Sequence, residues 1–535
     1  MPKGLKKDDL SVILNFGGGV HSRATEEDID IRECSDGQNF ELDAQNMEYR
    51  PRKAFDKLGT ATNAAEIRGF ANLIKSDGTV SILVQAGATV YALTGAALNT
   101  FTSKGTVAAT ARLRGRIEHN WQLANKVLIT DLALLEEVRE WDGTTFQAVT
   151  FANSNPPEFR AKYCLVSKER AFFANVWETI AIPHMIVGSE RGDYTTITVS
   201  DRPSSALSEA DPFYLLQPDL RPINGMVESF GKVITSSDNN GSMFVLTGES
   251  AQEFYFDELF PRSGASGEES VTYVGNDIFY GRHGRIESVA ASDKFGDVEQ
   301  NDLSNDISDK IIDLKNWTSV YNSRTQRVFF FPDNSSDAWV YHKPLSSVGS
   351  DGVPLSPWIK YKTIHATDFQ PTAIMNMIDP NDGLEYIFFG DSTGNVYRME
   401  GTGLSDGGTA SIRTERLSKL VIAPLNAKVY NVQGWVKWRS ITQATTLILR
   451  FEYAGENVFN EEITITLPAT SNINYFGGGG YFGGDLYFGS KFTGRLTRRK
   501  FAVVGQANEF QIRATVISTS RFRINQIGLQ FEASA

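Results

Sequence analysis

Hydrophobic and polar residues alternate with a period of two along most of the chain, a pattern that predicts short β-strands. The segment 80–93 is typical, because it predicts two strands around a turn at Gly87. Helical periodicity is scarce and is limited to a turn or two at 306–314 and at 206–210. Strand–turn–strand units of this kind occur at 80–93, 126–151, 162–176, 232–256, 271–290, 317–341 and 373–399.

These units recur roughly every 40 to 55 residues, which is the spacing of β-propeller blades. Six or seven blades would occupy residues 66–408, after an N-terminal arm formed by residues 1–65. The units share no Trp-Asp or kelch signature, so the pattern favours an irregular propeller. A glycine-rich linker at 401–408 follows, and about six alternating strands beyond it predict a C-terminal β-sandwich at 409–535. The predicted fold class is therefore all-β.

Composition agrees with an all-β protein of more than one packed unit. The 535 residues are 41% hydrophobic, and 46 glycines and 11% aromatic residues suit strands joined by tight turns. Cys34 and Cys164 form at most one bridge and no Cys-x-x-Cys pair, which argues against a disulfide scaffold or a cysteine zinc site. No run of about 18 apolar residues predicts a membrane span, and we identify no signal peptide. We expect synthesis in the cytoplasm.

Charge is divided unequally along the chain. The net charge is −12, yet residues 409–535 hold 15 lysines and arginines against 8 acidic residues, a net charge of +7, which leaves −19 for residues 1–408. Tight DNA binding needs clustered cations, so the acidic body is suited to a wall that DNA passes without adhering. Solubility alone is the competing explanation.

Motifs for catalysis or metal binding are missing from the sequence. The six histidines show no zinc spacing, and neither a nucleophile elbow, a phosphate-binding loop nor a dinucleotide fingerprint occurs. Asp379-Pro380-Asn381-Asp382-Gly383 fits a hairpin turn better than a calcium loop. We therefore predict no catalytic residue, metal or cofactor. Paired carboxylates of a glycosidase leave no sequence signature, so a propeller-type tailspike or envelope polysaccharide depolymerase stays open as an alternative.

Three arginine clusters and one glycine-rich segment are the candidate contact sites, and the third cluster is Arg521 with Arg523. Alternation places Arg112, Arg114 and Arg116 on one face of a strand. We favour ion pairing at a subunit interface, or a solvated face, over DNA phosphate contact for these arginines and for a second cluster. The segment 474–489 alternates glycines with aromatic pairs, and is either a flexible loop or a segment that orders against a neighbouring subunit or partner. The second cluster contains Arg498 and Arg499, and the aromatic pairs are Tyr475, Phe476, Tyr481 and Phe482.

Three features of the sequence carry a family resemblance. They are the segment from Asp36-Gly37-Gln38-Asn39-Phe40 to Arg50-Pro51-Arg52-Lys53-Ala54-Phe55, the irregular blades, and the stretch 302–311 before a strand at 317–321. Together they resemble the tail nozzle proteins of short-tailed bacteriophages, also described as tail tubular, hub or packaged-DNA stabilisation proteins. The resemblance implies a non-enzymatic homohexameric ring in the virion tail, below a dodecameric head–tail adaptor. Such a ring retains packaged double-stranded DNA and passes it during ejection, and tail fibres or spikes are further expected partners. A cellular interaction scaffold is a second rival, although regular blades would be expected of it.

Overall fold

The structure of the chain is a computed structural model. It describes residues 11–14, 16–23, 28–30, 32–42, 49–152, 158–198, 208–229, 231–238, 240–291, 298–333, 335, 337–345, 355–362, 371–401, 405–408, 410–422, 428–441, 445–453, 461–467, 496–502, 509–518 and 522–534.

Seven antiparallel blades follow one another around a ring. The first strand of each blade packs against the first strand of the next, except that blade 2 contacts blade 3 mainly through its strand Lys126–Asp131. Blade 1 contains Ile67–Ile74, Val80–Ala86, Thr89–Thr94 and Thr100–Thr106, and blade 2 contains Leu113–Gly115, Asn120–Trp121, Lys126–Asp131, Arg139–Trp141 and Phe146–Ala148. Blade 3 contains Arg160–Ser167, Arg170–Trp177, Ala181–Gly188 and Phe213–Leu216, and blade 4 contains Ile223–Ser229, Lys232–Ser237, Met243–Thr247 and Tyr255–Phe260. Blade 5 contains Val271–Val274, Asp277–Arg282, Arg285–Ala291 and Val298–Asp302, and blade 6 contains Trp317–Asn322, Arg327–Pro332, Asp337–His342 and Trp358–Lys362. Blade 7 contains Ala373–Ile378, Glu385–Gly390 and Asn395–Arg398, and is completed by Asp56–Thr60.

The ring closes through a strand that precedes blade 1 in sequence. Asp56–Thr60 pairs antiparallel with Asn395–Arg398 and forms the outer strand of blade 7. This strand lies within residues 1–65, which the sequence analysis assigned to the arm, so the last part of that segment belongs to the propeller. Pairing the two ends of the ring leaves no open blade between them, which stabilises a closed circle of sheets.

Blades 1 and 2 depart from regular propeller geometry. Leu113–Gly115 pairs parallel with blade 1 and antiparallel with the third strand of blade 2, so the two blades share one nine-stranded sheet. A Cβ atom at Gly115 would lie 2.6 Å from the Cβ of Ala71, closer than real side chains approach. Glycine at this position therefore lets the two backbones meet.

Neighbouring blades enclose separate layers of apolar side chains from blades 7 and 1 round to blades 4 and 5, whereas the layers of blades 5, 6 and 7 merge with the core of the sandwich. Phe173 and Met185 fill the layer between blades 2 and 3, and Phe172 and Phe254 fill the layer between blades 3 and 4. Burying a side chain of this size stabilises the fold by about 1.5–3 kcal/mol. The alternation seen in the sequence thus reflects sheets buried on both faces, with adjacent residues of one strand entering different layers.

The arm and the C-terminal region build the sandwich together. One sheet has the strand order Ser11–Leu14, Phe522–Ser534, Lys428–Ile441 and Leu496–Ala502. The other has the order Asp36–Gln38, Ile412–Leu417, Glu509–Ser518, Thr445–Tyr453 and Glu461–Leu467, with Val421–Ile422 paired to Glu509–Ser518. Asp36–Gln38 also pairs with Trp358–Lys362, so blade 6 and this second sheet form one continuous ten-stranded sheet.

The arm contacts blade 6 at very close range. The backbone N–H groups of Gly19 and Val20 donate to the carbonyl oxygens of Ser356 and Trp358 at 2.8 and 2.7 Å. A Cβ atom at Gly19 would overlap the Trp358 carbonyl oxygen, so only glycine permits this approach. The arm also contains the short hairpin of Phe40–Glu41 with Arg50–Pro51.

Helical structure in the described residues is limited to single turns. The prediction is confirmed at 306–314, whereas the described residues 208–210 are not helical. The turns are the 3-10 turns Ile117–His119, Gln122–Ala124, Asn305–Ile307 and Lys343–Leu345 and the α-turn Ser308–Ile311. The segment 379–383 is a hairpin turn between two strands of blade 7, which confirms that prediction. Cys34 and Cys164 are both buried and free. In the part of the chain that the structure describes, no helix is long and apolar enough to cross a membrane.

Candidate functional site

The first strands of the blades line a central channel, which contains two distinct features. A cluster of ion pairs lies where these strands begin, around Arg114 and Glu269. A cavity of about 600 Å³ lies toward their far ends and is lined by residues of blades 2 to 7. We treat the channel as the candidate functional site because it brings together charged, aromatic and unpaired polar groups from six blades.

Glu269 is the centre of the ion-pair cluster. It precedes the first strand of blade 5, and its carboxylate accepts hydrogen bonds from Arg114 Nε and Nη2 of blade 2 at 2.6 and 2.7 Å. Arg116 Nη2 donates to the same carboxylate at 3.1 Å. The neighbouring Glu268 pairs with Arg112 Nη1 at 2.6 Å and with Lys162 Nζ at 2.5 Å. The cluster therefore bridges blades 2, 3 and 5 across the channel.

Burial sets the electrostatics of this cluster. Burial raises the pKa of Glu269, but the charges of Arg114 and Arg116 outweigh it, so that the pKa falls to about 2. Burial lowers the pKa of the adjacent His119 to about 4. Glu269 is thus an anion at neutral pH that its arginines hold in place, because a buried carboxylate needs paired cations to stay ionised.

The structure corrects the role that the sequence suggested for Arg114. The side chains of Arg112, Arg114 and Arg116 do share one face, as alternation predicts, but their acidic partners belong to the same chain. Arg114 is only 3% exposed, so it is neither a subunit contact nor a solvated residue. Sequence reasoning missed Glu268 and Glu269, because an acidic pair before an apolar strand gives no signal of a partner about 155 residues away.

The cavity combines apolar walls with carboxylates and unpaired polar atoms. Met226, Tyr321 and Met375 contribute to its walls. Buried polar atoms without a hydrogen-bond partner among the described residues include Ser229 Oγ and Asn376 Oδ1, and both residues line the cavity. Three carboxylates line it as well, those of Glu118, Glu228 and Glu385.

A second group of charged residues lies between the arm, blade 6 and the end of blade 7. Arg327 Nη1 donates to Glu400 Oε1 at 2.8 Å and lies 3.5 Å from Glu41 Oε1. Burial lowers the pKa of the neighbouring His342, and the charge of Arg327 lowers it further. These groups are enclosed by protein, so we assign them to holding the arm in place.

Among the described residues, no group of three or more histidine, cysteine, aspartate and glutamate side chains could hold a metal ion. The remaining candidate residues have separate outcomes. Arg498 and Arg499 lie on the strand Leu496–Ala502 and face Trp435 and Gly434 in the strand pairing. The aromatic residues Tyr475, Phe476, Tyr481 and Phe482 lie outside the described residues.

Neither a protein-family model nor a curated protein matches this sequence. Among solved structures, the chain is similar to the N-terminal domain of Nup159, with 9% identity and a TM-score of 0.38 over 68% of this chain and 97% of that one. It is also similar to the WD40 domain of coronin from Toxoplasma gondii, with 8% identity and a TM-score of 0.38 over 68% of this chain and 87% of that one. Both comparisons concern fold only.

Proposed function

We propose that this protein is a structural subunit of a bacteriophage tail nozzle, and that six copies form a ring-shaped conduit that retains packaged DNA and passes it during ejection. The subunit acts through its shape and charge and not through catalysis. It is a component of the virion tail, and the dodecameric head–tail adaptor is its expected neighbour. Tail fibres or spikes are expected further neighbours.

The observation that carries this proposal is the continuous ten-stranded sheet between propeller and sandwich. Asp36–Gln38 lies between Trp358–Lys362 of blade 6 and Ile412–Leu417 of the sandwich and pairs with both. Backbone hydrogen bonds therefore cross the boundary between the two domains, which a flexible linker would not provide. A subunit of a pressurised conduit needs this rigidity, because the wall must not hinge when DNA passes.

A buried arginine supports the same argument. Arg416 of the sandwich donates from Nη1 to the carbonyl oxygen of Gly18 at 3.0 Å and from Nη2 to that of Arg32. Its guanidinium group also lies 5.3 Å from the ring centres of Phe16 and Phe40. The sandwich is thus held to the arm by a cation enclosed between two aromatic rings, a contact that strengthens when water is excluded.

The charge distribution fits a conduit for a polyanion. Residues 1–408 carry −19 and residues 409–535 carry +7. An acidic wall repels the phosphate backbone and keeps it from adhering, whereas sustained binding would need clustered unpaired cations. In the channel cluster the cations are already paired with Glu268 and Glu269.

The test is the assembly state of the purified full-length chain. We expect analytical ultracentrifugation to show a hexamer at high protein concentration, and negative-stain images to show a six-fold ring. Double-stranded DNA should bind weakly at physiological salt. A protein that stays monomeric at every accessible concentration would contradict the proposed hexameric ring.

The depolymerase alternative has its own readout. Incubation with capsule or lipopolysaccharide should release no reducing sugar if the protein is structural. Release of reducing sugar that a single carboxylate-to-amide substitution abolishes would replace the proposal with a glycosidase, since such enzymes depend on a pair of carboxylates.

A further inference from the structure

One end of blade 3 exposes a group of apolar side chains. Ile180 lies in the hairpin loop between Arg170–Trp177 and Ala181–Gly188 and is 66% exposed. Leu216, at the end of the outer strand of blade 3, is 47% exposed, and Leu220, between blades 3 and 4, is 63% exposed. We call this group the blade 3 patch, and its exposed or half-buried members are Ile180, Ile182, Pro183, Leu216, Pro218 and Leu220.

Backbone pairing brings the members of the patch together. Leu216 lies opposite Met185 in the sheet, and the backbone N–H of Gln217 donates to the carbonyl oxygen of His184 at 2.8 Å. The chain then turns back, because the backbone N–H of Leu220 donates to the carbonyl oxygen of Gln217 at 3.1 Å. The end of the outer strand and the hairpin therefore present their apolar residues on one surface.

The folding of blade 3 does not account for these apolar residues. Hairpin loops favour glycine, asparagine, aspartate and serine, yet the loop of this hairpin is Glu178-Thr179-Ile180. Three of the ten large apolar side chains that are exposed in the described part of the chain belong to the patch. Single exposed apolar residues are ordinary on a protein surface, whereas a group of them indicates an interaction site.

The patch lies on the side of the propeller away from the sandwich. The sandwich continues the sheet of blade 6, and blade 3 is three positions from blade 6 in a ring of seven blades. This is the largest separation that such a ring allows. Different surfaces on opposite sides of one subunit suit a head-to-tail contact between copies, and head-to-tail contacts generate rings when the rotation closes.

The far end of the sandwich carries a segment rich in aromatic residues. Glu461–Leu467 is the strand of the ten-stranded sheet farthest from blade 6, and residues 468–495 connect it with Leu496–Ala502, an edge strand of the other sheet. Three Tyr-Phe pairs occur in this connection, at 475–476, 481–482 and 487–488. A buried aromatic side chain covers about 150–250 Å², so six of them would bury about 900–1,500 Å². That area reaches the roughly 800 Å² that each partner contributes to a stable interface.

We propose that the blade 3 patch is the docking site for the segment 474–489 of a second copy of this chain. The inference rests on the proposed function, because the ring of six copies supplies that second copy. The aromatic pairs pack against Ile180, Leu216 and Leu220, and the glycines between the pairs let the backbone follow the surface. Each contact thus joins the sandwich of one copy to blade 3 of the next copy around the ring.

Two matched variants of the full-length protein test the patch by analytical ultracentrifugation. Ile180→Asp should raise the dissociation constant for assembly roughly tenfold or more, because it places a charge in an apolar contact. Ile312→Asp is the control, since Ile312 is 62% exposed but lies between blades 5 and 6, outside the patch, and assembly should be unchanged. Both side chains are exposed, so neither substitution should change the melting temperature of the monomer. If Ile180→Asp assembles like the wild type, the inference is wrong while the proposed ring stands; a wild type that never assembles contradicts both.

A photo-crosslink identifies the segment that docks on the patch. The photoreactive residue p-benzoylphenylalanine is placed at position 180 of the full-length chain, and unlabelled and heavy-nitrogen proteins are mixed as monomers before assembly and irradiation. We expect mass spectrometry to find residue 180 joined to the segment 474–489, with mixed pairs of one light and one heavy peptide. Pairs of a single isotope alone would place the segment on its own chain, and crosslinks to other parts of the chain would assign the patch to a different surface. Either result would overturn the inference.

Discussion

Arg52 of the arm and Asp406, which follows blade 7, form a buried two-pronged ion pair across 354 positions of sequence. Arg52 Nη1 donates to Asp406 Oδ1 at 2.8 Å, and Nη2 contacts Oδ2 of the same carboxylate. The two side chains are 0% and 5% exposed. The guanidinium group lies 4.0 Å from the ring centre of Phe55, and Asp406 Oδ1 also accepts from the Phe55 backbone N–H. This pair joins the arm to the chain that leaves the propeller.

Replacing Arg52 by methionine should destabilise the protein by about 3–5 kcal/mol, because it leaves the Asp406 carboxylate buried without a cation. The double variant Arg52→Met/Asp406→Leu should recover most of that loss, since it removes both charges. Urea denaturation followed by tryptophan fluorescence measures the free energy of unfolding of the wild type and of both variants.

The exposed pair Arg221–Asp238 supplies the control. Its atoms are 3.4 Å apart, and the side chains are 47% and 37% exposed. Arg221→Met should therefore change the free energy of unfolding by less than about 1 kcal/mol. A double variant at positions 52 and 406 that is no more stable than Arg52→Met alone would mean that packing, and not the unpaired charge, accounts for the loss.

The sequence predicted the larger architecture better than the sites. Alternating strands and turn residues such as Asp142-Gly143 identified the blades, because local backbone preferences determine a hairpin; Gly143 adopts a φ of +93°. Alternation also placed the three arginines of blade 2 on one face. Their carboxylate partners, and the cation that pairs with Asp406, come from distant segments that only the closed ring brings together. Local patterns carry no information about such contacts.

Glu269→Gln should destabilise the protein by about 3 kcal/mol at pH 7, because it leaves the buried Arg114 without its anion. The pKa of Glu269 is about 2 in the fold, below its ordinary value of 4.5. Its contribution is therefore complete above pH 4.5 and is lost as the pH falls toward 2. Urea denaturation between pH 7 and 2 measures the free energy of unfolding of the wild type and the variant. The difference between the two should shrink only as the pH falls below 4.5.

Glu268→Gln tests whether burial is the cause of the loss of stability expected for Glu269→Gln. The Glu268 side chain is 30% exposed and its partners are accessible, so this variant should cost about 1 kcal/mol or less. Equal losses in the two variants would contradict the central role of Glu269.

His21 should titrate above its ordinary pKa of 6.5. Its Nδ1 atom lies 3.0 Å from Glu33 Oε2, and its Nε2 atom lies 3.9 Å from Asp306 Oδ1. The hydrogen bond to Glu33 raises the pKa of His21 most, and the two carboxylate charges raise it further against the effect of burial. NMR titration of the imidazole signals measures the pKa of His21. In the same spectrum the buried His119, with a pKa of about 4, should titrate below the ordinary value.

The same contact makes the arm pH-sensitive. Because the pKa of His21 is raised in the fold, its stabilisation is complete below pH 6.5 and is lost as the pH rises through the folded value. His21→Ala should thus cost about 1 kcal/mol at pH 6 and less at pH 9. A cost that does not change with pH would show that the imidazole acts by packing alone.

The glycine–aromatic segment at 474–489 gives the last prediction, which concerns assembly. Its glycines lose conformational freedom on docking, and its aromatic rings supply the apolar area that offsets this loss. Replacing Tyr475, Phe476, Tyr481 and Phe482 by serine should leave the melting temperature of the monomer unchanged and weaken ring formation in analytical ultracentrifugation. Serine replacement of Tyr255, which is 51% exposed on the outer strand of blade 4, is the control for removing surface aromatic area. A quadruple variant that fails to fold would instead place the segment in the core of the sandwich, and one that assembles like the wild type would exclude it from the interface.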